Sequence, residues 1–238
     1  MKQEMYTTYA KQYDLAAQDN LYNAHFERPN TLELVGDVTG KKVLDLGCGS
    51  GIYAQLLFDL GASSVTCIDA SQEMIDIVKN KLGDSVKAYA QNLAIGLPEE
   101  QDSQYDLVIC PLMVHYIEDL RPLFDDIQRV LKAGGQFVFS THHPFADFEC
   151  SASGNYYDKE LVEDMWNTVG EPVPVAFYRR SLQDITDAIT GSGMAMLAVS
   201  EGKVNEKIRE ISQEHYQRLA MFPNFIFIKC VALSYLNR

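Results

Sequence analysis

The stretch Val43-Leu44-Asp45-Leu46-Gly47-Cys48-Gly49-Ser50-Gly51 decides how the rest of the chain is interpreted. Apolar residues around one carboxylate predict a buried strand, and three alternating glycines predict a tight turn whose backbone can touch a ligand. Residues 52–60 then place apolar side chains at helical spacing, and Gly61 is a typical helix stop. The stretch therefore predicts the first strand, loop and helix of a nucleotide-binding α/β unit.

Two phosphate-binding motifs fit this loop poorly. The dinucleotide fingerprint G-x-G-x-x-G needs a third glycine where this sequence has Ile52, and a P-loop needs a lysine that residues 47–51 lack. A different pattern, D-x-G-x-G-x-G, is present, with its fixed positions at Asp45, Gly47, Gly49 and Gly51. This pattern resembles motif I of the class I S-adenosylmethionine-dependent methyltransferases.

The second strand supports the same interpretation. Residues 65–68 are a β-branched run that ends at Asp69, where an acidic side chain is expected to meet a ribose diol. A carboxylate suits that role because its two oxygens can accept from both hydroxyls. Asp69 could instead cap the following helix, but Ser71 lies closer to the helical run and serves as well.

Further runs extend the resemblance over about the first 140 residues. Tyr105-Asp106-Leu107-Val108 and Leu131-Lys132-Ala133-Gly134-Gly135 are similar to the methyltransferase pattern. Residues 20–29, 142–145, 178–180 and 223–225 resemble a bacterial UbiE-like group of small-molecule methyltransferases. The resemblance implies S-adenosyl-L-methionine as cofactor and a small molecule as methyl acceptor.

The predicted fold is α/β, a Rossmann-like seven-stranded sheet that is mostly parallel and ends in an antiparallel hairpin. The whole chain, residues 1–238, is predicted to be a single methyltransferase domain. Its parts are a helical cap over 1–40, a cofactor-binding core over 41–140, a lid insert after the fifth strand over 141–180, and the end of the sheet over 181–238. The insert is expected to be irregular and rich in aromatic rings, and a purely structural aromatic cluster is the alternative.

The resemblance also implies which residues hold the cofactor. Tyr13, in the amino-terminal segment, is expected to seal the methionine end, and Asn92 stands where the family usually has Asp for the adenine amino group. The predicted cofactor-binding set is Tyr13, Asp45, Gly47, Cys48, Gly49, Gly51, Asp69, Ala70, Met74, Asn92, Leu93 and Cys110.

The acceptor side is predicted to lie just after the fourth and fifth strands. Methyl transfer needs an aligned nucleophile, and it needs a base only if the acceptor carries a proton that must leave. The candidates for that base are His142, His143 and His115, of which the first two are preferred. Residues expected to bind the acceptor are Arg28, Tyr116, Phe145, Tyr178 and Arg180. Arg28 could also face the cofactor carboxylate or lie in solvent at a helix end.

Charge and cysteine content restrict the partners. The 20 basic and 33 acidic residues give a net charge of −13, so we expect no binding to nucleic acid or to an anionic membrane. Five scattered cysteines predict neither a disulfide framework nor a metal site. The amino terminus is polar and without a targeting signal, so a cytoplasmic monomer or homodimer is expected. Two alternatives to the enzyme are a cofactor-binding regulatory or scaffold protein without turnover and, less favoured, a nicotinamide-dependent oxidoreductase.

Overall fold

The computed structural model describes residues 3–233 of the chain. Its strands are β1 Lys42–Leu46, β2 Ser64–Asp69, β3 Val86–Ala90, β4 Tyr105–Pro111, β5 Leu131–His142, β6 Glu160–Trp166, β7 Val173–Arg179, β8 Met194–Ser200 and β9 Phe225–Ala232. Its α-helices are α1 Ala10–Asp19, α2 Arg28–Val35, α3 Ile52–Asp59, α4 Gln72–Leu82, α5 Arg121–Val130, α6 Pro144–Asp147, α7 Leu182–Gly191, α8 Glu206–Ile211 and α9 Gln213–Met221. A π-helix, Leu21–Glu27, joins α1 to α2.

The main sheet has seven strands in the order β3-β2-β1-β4-β5-β9-β8. Strands β1 to β5 pair in parallel, and β9 pairs antiparallel with both β5 and β8. The predicted fold class is therefore confirmed, including the terminal antiparallel hairpin. The strand order reverses between β1 and β4, and open α/β sheets bind ligands beyond the carboxyl ends of the strands at such a point.

Alternating side chains of the central strands build two apolar layers. Along β4, Leu107 and Ile109 pack under α3 and α4, whereas Val108 and Cys110 pack under α5 and α7. This two-sided burial explains why the strand is apolar at nearly every position. Helix α5 shows the complementary pattern, with fully buried side chains at the helical spacing of Leu123, Phe124, Ile127 and Val130. Each such side chain contributes about 1.5 to 3 kcal/mol by burial.

The expectation of an irregular segment over 141–180 is wrong in detail. Strand β5 continues to His142, α6 follows it, and β6 pairs antiparallel with β7 in a second sheet. Strand β6 is not apparent from the sequence because its acidic residues have low strand propensity and its side chains are mostly exposed. The buried Arg179 on β7 bonds Glu160 on β6 and the loop oxygen of Asn155, so distant partners hold the hairpin.

Two local features interrupt the regular elements. Residues 132–135 lie inside β5, whose pairing with β4 shifts register between Tyr105 and Leu107. Helices α8 and α9 are separate because Ser212 adopts an extended conformation and caps α9 by accepting from the His215 amide. The helical character of the amino-terminal segment is confirmed.

Candidate active site

The glycine loop between β1 and α3 opens onto a cavity of about 1080 Å³ at the carboxyl end of the sheet. Gly47 has φ +68°, and a Cβ there would lie 2.4 Å from Cγ of Met113, in the loop after β4. Gly49 has φ +52° and nothing within 4 Å of the same imagined atom. Glycine at 47 therefore lets two loops of the sheet touch, while glycine at 49 leaves open space for a ligand against the backbone.

Asp69, at the end of β2, is fixed toward this loop. Its two carboxylate oxygens accept from the backbone amides of Gly49 and Ser71, each at 2.9 Å. Burial raises the pKa of the Asp69 carboxyl, although these backbone donors oppose the shift. Because a carboxylate has about four acceptor positions, the Asp69 oxygens can still accept from hydroxyl groups of a ligand. Ser71, and not Asp69, caps α4 by accepting from the Met74 amide at 3.1 Å.

Two further carboxyl groups lie behind the loop. Asp45 is completely buried, and neither of its oxygens has a hydrogen-bond partner among the described residues. Burial, helped by the nearby Asp69 and Glu27, raises the pKa of Asp45 to about 8. Glu27, at the end of the π-helix, accepts from the hydroxyls of Thr31, Ser140 and Tyr53. Of the two, Glu27 lines the cavity, whereas Asp45 lies behind its wall.

The arginine that follows Glu27 provides a positive counterpart. Arg28 lines the cavity and donates from one terminal nitrogen to the Ala17 carbonyl oxygen at 2.8 Å. Its Nε is buried and has no hydrogen-bond partner within residues 3–233. A buried donor without a partner is costly, so an anionic ligand group would be favoured there.

Comparisons with known proteins agree with this geometry. A family model described as a methyltransferase domain matches residues 44–139. Residues 44–139 form a methyltransferase domain. The core predicted at 41–140 lies over almost the same range, and the resemblance to the class I S-adenosylmethionine-dependent methyltransferases is confirmed.

Individual relatives and one solved structure show how far the likeness extends. The chain is 35% identical over 116 residues to the ubiquinone biosynthesis O-methyltransferase of Pseudomonas putida, covering 48% of this chain and 50% of that one. It is 33% identical over 152 residues to the demethylmenaquinone methyltransferase of Lactococcus lactis, covering 60% and 59%. The chain thus spans about half the length of the curated relatives it matches. An S-adenosylmethionine-dependent methyltransferase from Mesorhizobium loti shares the fold, with TM-score 0.70, 24% identity and coverage of 92% and 99%.

The residues around the methyltransferase loop fit S-adenosylmethionine. The open space over Gly49 accommodates a close approach of the ligand, and the free acceptor positions of Asp69 suit a ribose diol. The Glu27 carboxyl in the cavity wall suits the positively charged groups of the cofactor, and the free Nε of Arg28 suits its carboxylate. Asn92 also lines the cavity, although its Oδ1 already accepts from the Ala94 amide at 3.0 Å. The hydrogen-bonding capacity that the Asn92 side-chain amide retains would have to serve the adenine.

The predicted cofactor residues divide into two groups. Those that line the cavity are Tyr13, Gly47, Cys48, Gly49, Asp69, Ala70, Asn92 and Leu93. Those that lie behind its wall are Asp45, Gly51, Met74 and Cys110. Met74 and Cys110 are completely buried in the core, and Gly51 is the N-cap residue that precedes α3. For this second group, contact with the cofactor stays a prediction that the geometry does not support directly.

The predicted acceptor residues divide in the same way. Arg28, Tyr116, Tyr178, His115 and His142 line the cavity. His143, Phe145 and Arg180 lie outside it: His143 caps α6, Phe145 is 58% exposed, and the buried Arg180 donates to the Ile117 carbonyl oxygen. Contact of these three side chains with an acceptor is therefore unsupported by the structure.

Sequence reasoning missed several residues of this cavity, among them Tyr6, Glu27, Asp147 and Phe225. The Tyr6 hydroxyl is 2.6 Å from that of Tyr116, which joins the amino-terminal segment to the loop after β4. An acidic residue at the end of a helical segment carries no distinctive signal, and each of the four reaches the cavity through tertiary packing. Glu27 and Phe225 had a local clue, since they lie in the runs 20–29 and 223–225 that carried the family resemblance.

Metal and membrane features are limited in the described part of the chain. Within residues 3–233, no group of three or more histidine, cysteine, aspartate or glutamate side chains is arranged to hold a metal ion. No helix in the same range is long and apolar enough to cross a membrane.

Proposed function

We propose that the protein transfers a methyl group from S-adenosylmethionine to a small-molecule acceptor. The observation that carries the proposal is the open face of Gly49 beside the fixed carboxylate of Asp69, at the carboxyl end of the sheet where the strand order reverses between β1 and β4. When bound, S-adenosylmethionine supplies a methyl group on a positively charged sulfur. The protein's part is to align the acceptor with that group and to exclude water.

The size and charge of the cavity support a small acceptor. A volume of about 1080 Å³ exceeds what one drug-sized ligand usually needs, so cofactor and acceptor can lie side by side. The net charge of −13 disfavours nucleic acid, and we propose a cytoplasmic monomer or homodimer that acts on free small molecules. The names of the quinone-modifying relatives are consistent with an aromatic acceptor.

Replacement of Asp69 tests the cofactor assignment. Calorimetry should show one-to-one binding of S-adenosylmethionine, and Asp69→Ala should weaken it about tenfold or more, because charge-assisted hydrogen bonds are worth about 1.5 to 3 kcal/mol. Asp84→Ala, at an exposed position in the turn before β3, is the matched control and should bind as the wild type does. Equal affinities of wild type and Asp69→Ala would refute the ribose assignment.

Two segments that close the cavity should become more protected when the cofactor binds. Gln3 exchanges two hydrogen bonds with Ala176 on β7, and the Tyr6 carbonyl accepts from the Ser71 hydroxyl, so the amino-terminal segment joins the hairpin to the cofactor loop. Hydrogen exchange should therefore slow in residues 10–30 and 141–180 on adding cofactor. Helix α7 should not change. Protection limited to the glycine loop and Asp69 would show that these segments do not act as a lid.

A further inference from the structure

The ring of His142, the last residue of β5, is held between other rings at the acceptor end of the cavity. It stacks on His115 with ring centres 3.9 Å apart and planes 16° apart, and the Phe177 ring meets it edge-on at 4.7 Å. Phe225 and Trp166 lie farther out, at 6.1 and 5.7 Å. Contacts on several sides fix the plane of the imidazole, so its two nitrogens have defined directions.

The two nitrogens of His142 face different surroundings. Nδ1 is buried and lies 3.3 Å from Oδ1 of Asp147, at an angle that makes no hydrogen bond. Nε2 is not among the buried unpartnered atoms and has no hydrogen-bond partner within residues 3–233. Because His142 lines the cavity, we assign Nε2 to its open side. A general base that is held in one orientation typically has a carboxylate beside one ring nitrogen and open space beside the other, and His142 has both. Such contacts commonly tighten when ligands bind.

The other two histidines lack this arrangement. Burial, together with His142 and Arg180, lowers the pKa of His115 well below its usual value, so His115 stays neutral. Its Nδ1 lies 3.3 Å from the Thr141 hydroxyl. His143 uses both nitrogens, one accepting from the Phe145 amide and the other 3.1 Å from Glu201. His115 therefore serves as a neutral platform for the stacked ring.

We propose that His142 accepts the proton of the methyl acceptor, with Asp147 as its positioning residue, and that the acceptor is a planar aromatic compound methylated at a hydroxyl or amine. This inference rests on the proposed methyl transfer. A lone pair of the acceptor oxygen or nitrogen forms the bond to the methyl carbon, the carbon–sulfur bond breaks with its electron pair going to sulfur, and the acceptor proton passes to Nε2. The Asp147 carboxylate then stabilises the positive imidazole through Nδ1–H.

Among the described residues, few titratable or charged groups are packed around the His142 ring. The titratable or charged groups are Asp147 on α6 and His115 in the loop after β4, with Arg180 behind the latter. The hairpin contributes the rings of Trp166 and Phe177, and Asp164 of the hairpin is bonded to the Trp166 ring nitrogen at 3.0 Å. Flat aromatic walls of this kind favour a flat acceptor.

Nitrogen NMR of histidine-labelled protein, free and saturated with S-adenosylhomocysteine, tests the pair. The His142 signal is identified by its loss in His142→Gln, and the neutral ring should carry its proton on Nδ1, facing Asp147. Asp147→Asn should shift the neutral ring toward the Nε2–H form, Asp147→Glu should partly restore the wild-type form, and Asp84→Asn should leave it unchanged. An Nε2–H ring in the wild type, or no response to Asp147→Asn, would overturn the proposal.

Turnover with catechol and aniline as probe acceptors gives the second readout. For a probe that is methylated, Asp147→Asn should lower kcat roughly 10- to 100-fold with KM nearly unchanged, since general-base catalysis typically contributes 10²- to 10⁴-fold. A proportional rise in KM with kcat unchanged would instead indicate a binding role and contradict the proposal. Calorimetry of S-adenosylhomocysteine binding on the same samples separates the proposed methyl transfer from the proposed roles of His142 and Asp147. Failure to bind refutes the proposed function, whereas binding without a tautomer response refutes only the proton-accepting pair.

Discussion

Gly47→Ala should destabilise the protein by about 2 to 5 kcal/mol and abolish measurable cofactor binding. Two effects add: a residue with a Cβ at φ +68° is strained by about 1 to 2 kcal/mol, and the new atom would lie 2.4 Å from Met113, an overpacking that typically costs about 1 to 3 kcal/mol. Chemical denaturation gives the free energy of unfolding, and calorimetry gives the affinity. A loss of stability below about 1 kcal/mol would contradict the close loop contact.

Two other glycines of the chain separate strain from contact. Gly40 has φ +72° and open space around the added atom, and it lies near the start of β1, at the far end of the sheet, so Gly40→Ala reports strain alone. Gly49→Ala should cost about as much stability as Gly40→Ala, because nothing lies within 4 Å of the added Cβ. It should nevertheless weaken cofactor binding by about tenfold or more. Met113→Ala combined with Gly47→Ala should recover only part of the contact loss, because the Cβ at position 113 would still lie 2.7 Å from the added atom, and it should not recover the strain. Unchanged affinity in Gly49→Ala would refute the close approach of the ligand at this position.

Asp45→Asn should make the ligand-free protein more stable than wild type at alkaline pH. The pKa of Asp45 is raised to about 8 in the folded protein, against an ordinary value of about 4 in the unfolded chain. The folded state therefore holds the proton more tightly, and the stability that the protonated group allows is complete below about pH 4 and is lost as pH rises through about 8. The asparagine side chain of the variant cannot ionise, so the gap between variant and wild type should widen by roughly 2 to 5 kcal/mol between about pH 5 and pH 9.

Unfolding curves measured across that pH range check this result. The difference between wild type and variant removes the contributions of Glu27 and Asp69, whose pKa values are also raised by burial. Asp84→Asn changes the same chemical group at an exposed site and is the matched control. A difference between Asp45→Asn and wild type that does not vary with pH would mean that the Asp45 carboxyl is solvated or paired in solution.

The sequence by itself determined the sheet and the cofactor loop, because both depend on short-range patterns. The alternation of glycines from 47 to 51, the apolar runs of β1, β2 and β4, and the position of Asp69 directly after β2 all express local backbone and burial requirements. These requirements repeat along the chain at periods of about two or 3.6 residues, so they can be recognised without knowing the neighbours in space. The antiparallel end of the sheet was likewise predicted from strand order.

Only the tertiary structure decided which polar groups meet in the cavity. Asp147, Glu27 and Phe225 come from different segments, and their roles depend on distances that no local pattern encodes. The sequence favoured His142 and His143 over His115 without separating the first two. Packing made His115 a buried neutral ring, paired His143 with Glu201 and left His142 facing the cavity. The hairpin was missed for the same reason, since the long-range pair of Arg179 with Glu160 outweighs the weak strand propensity of β6. Hydrogen-bond partners and desolvation are set by residues far apart in the chain, and they determine the chemistry of each group.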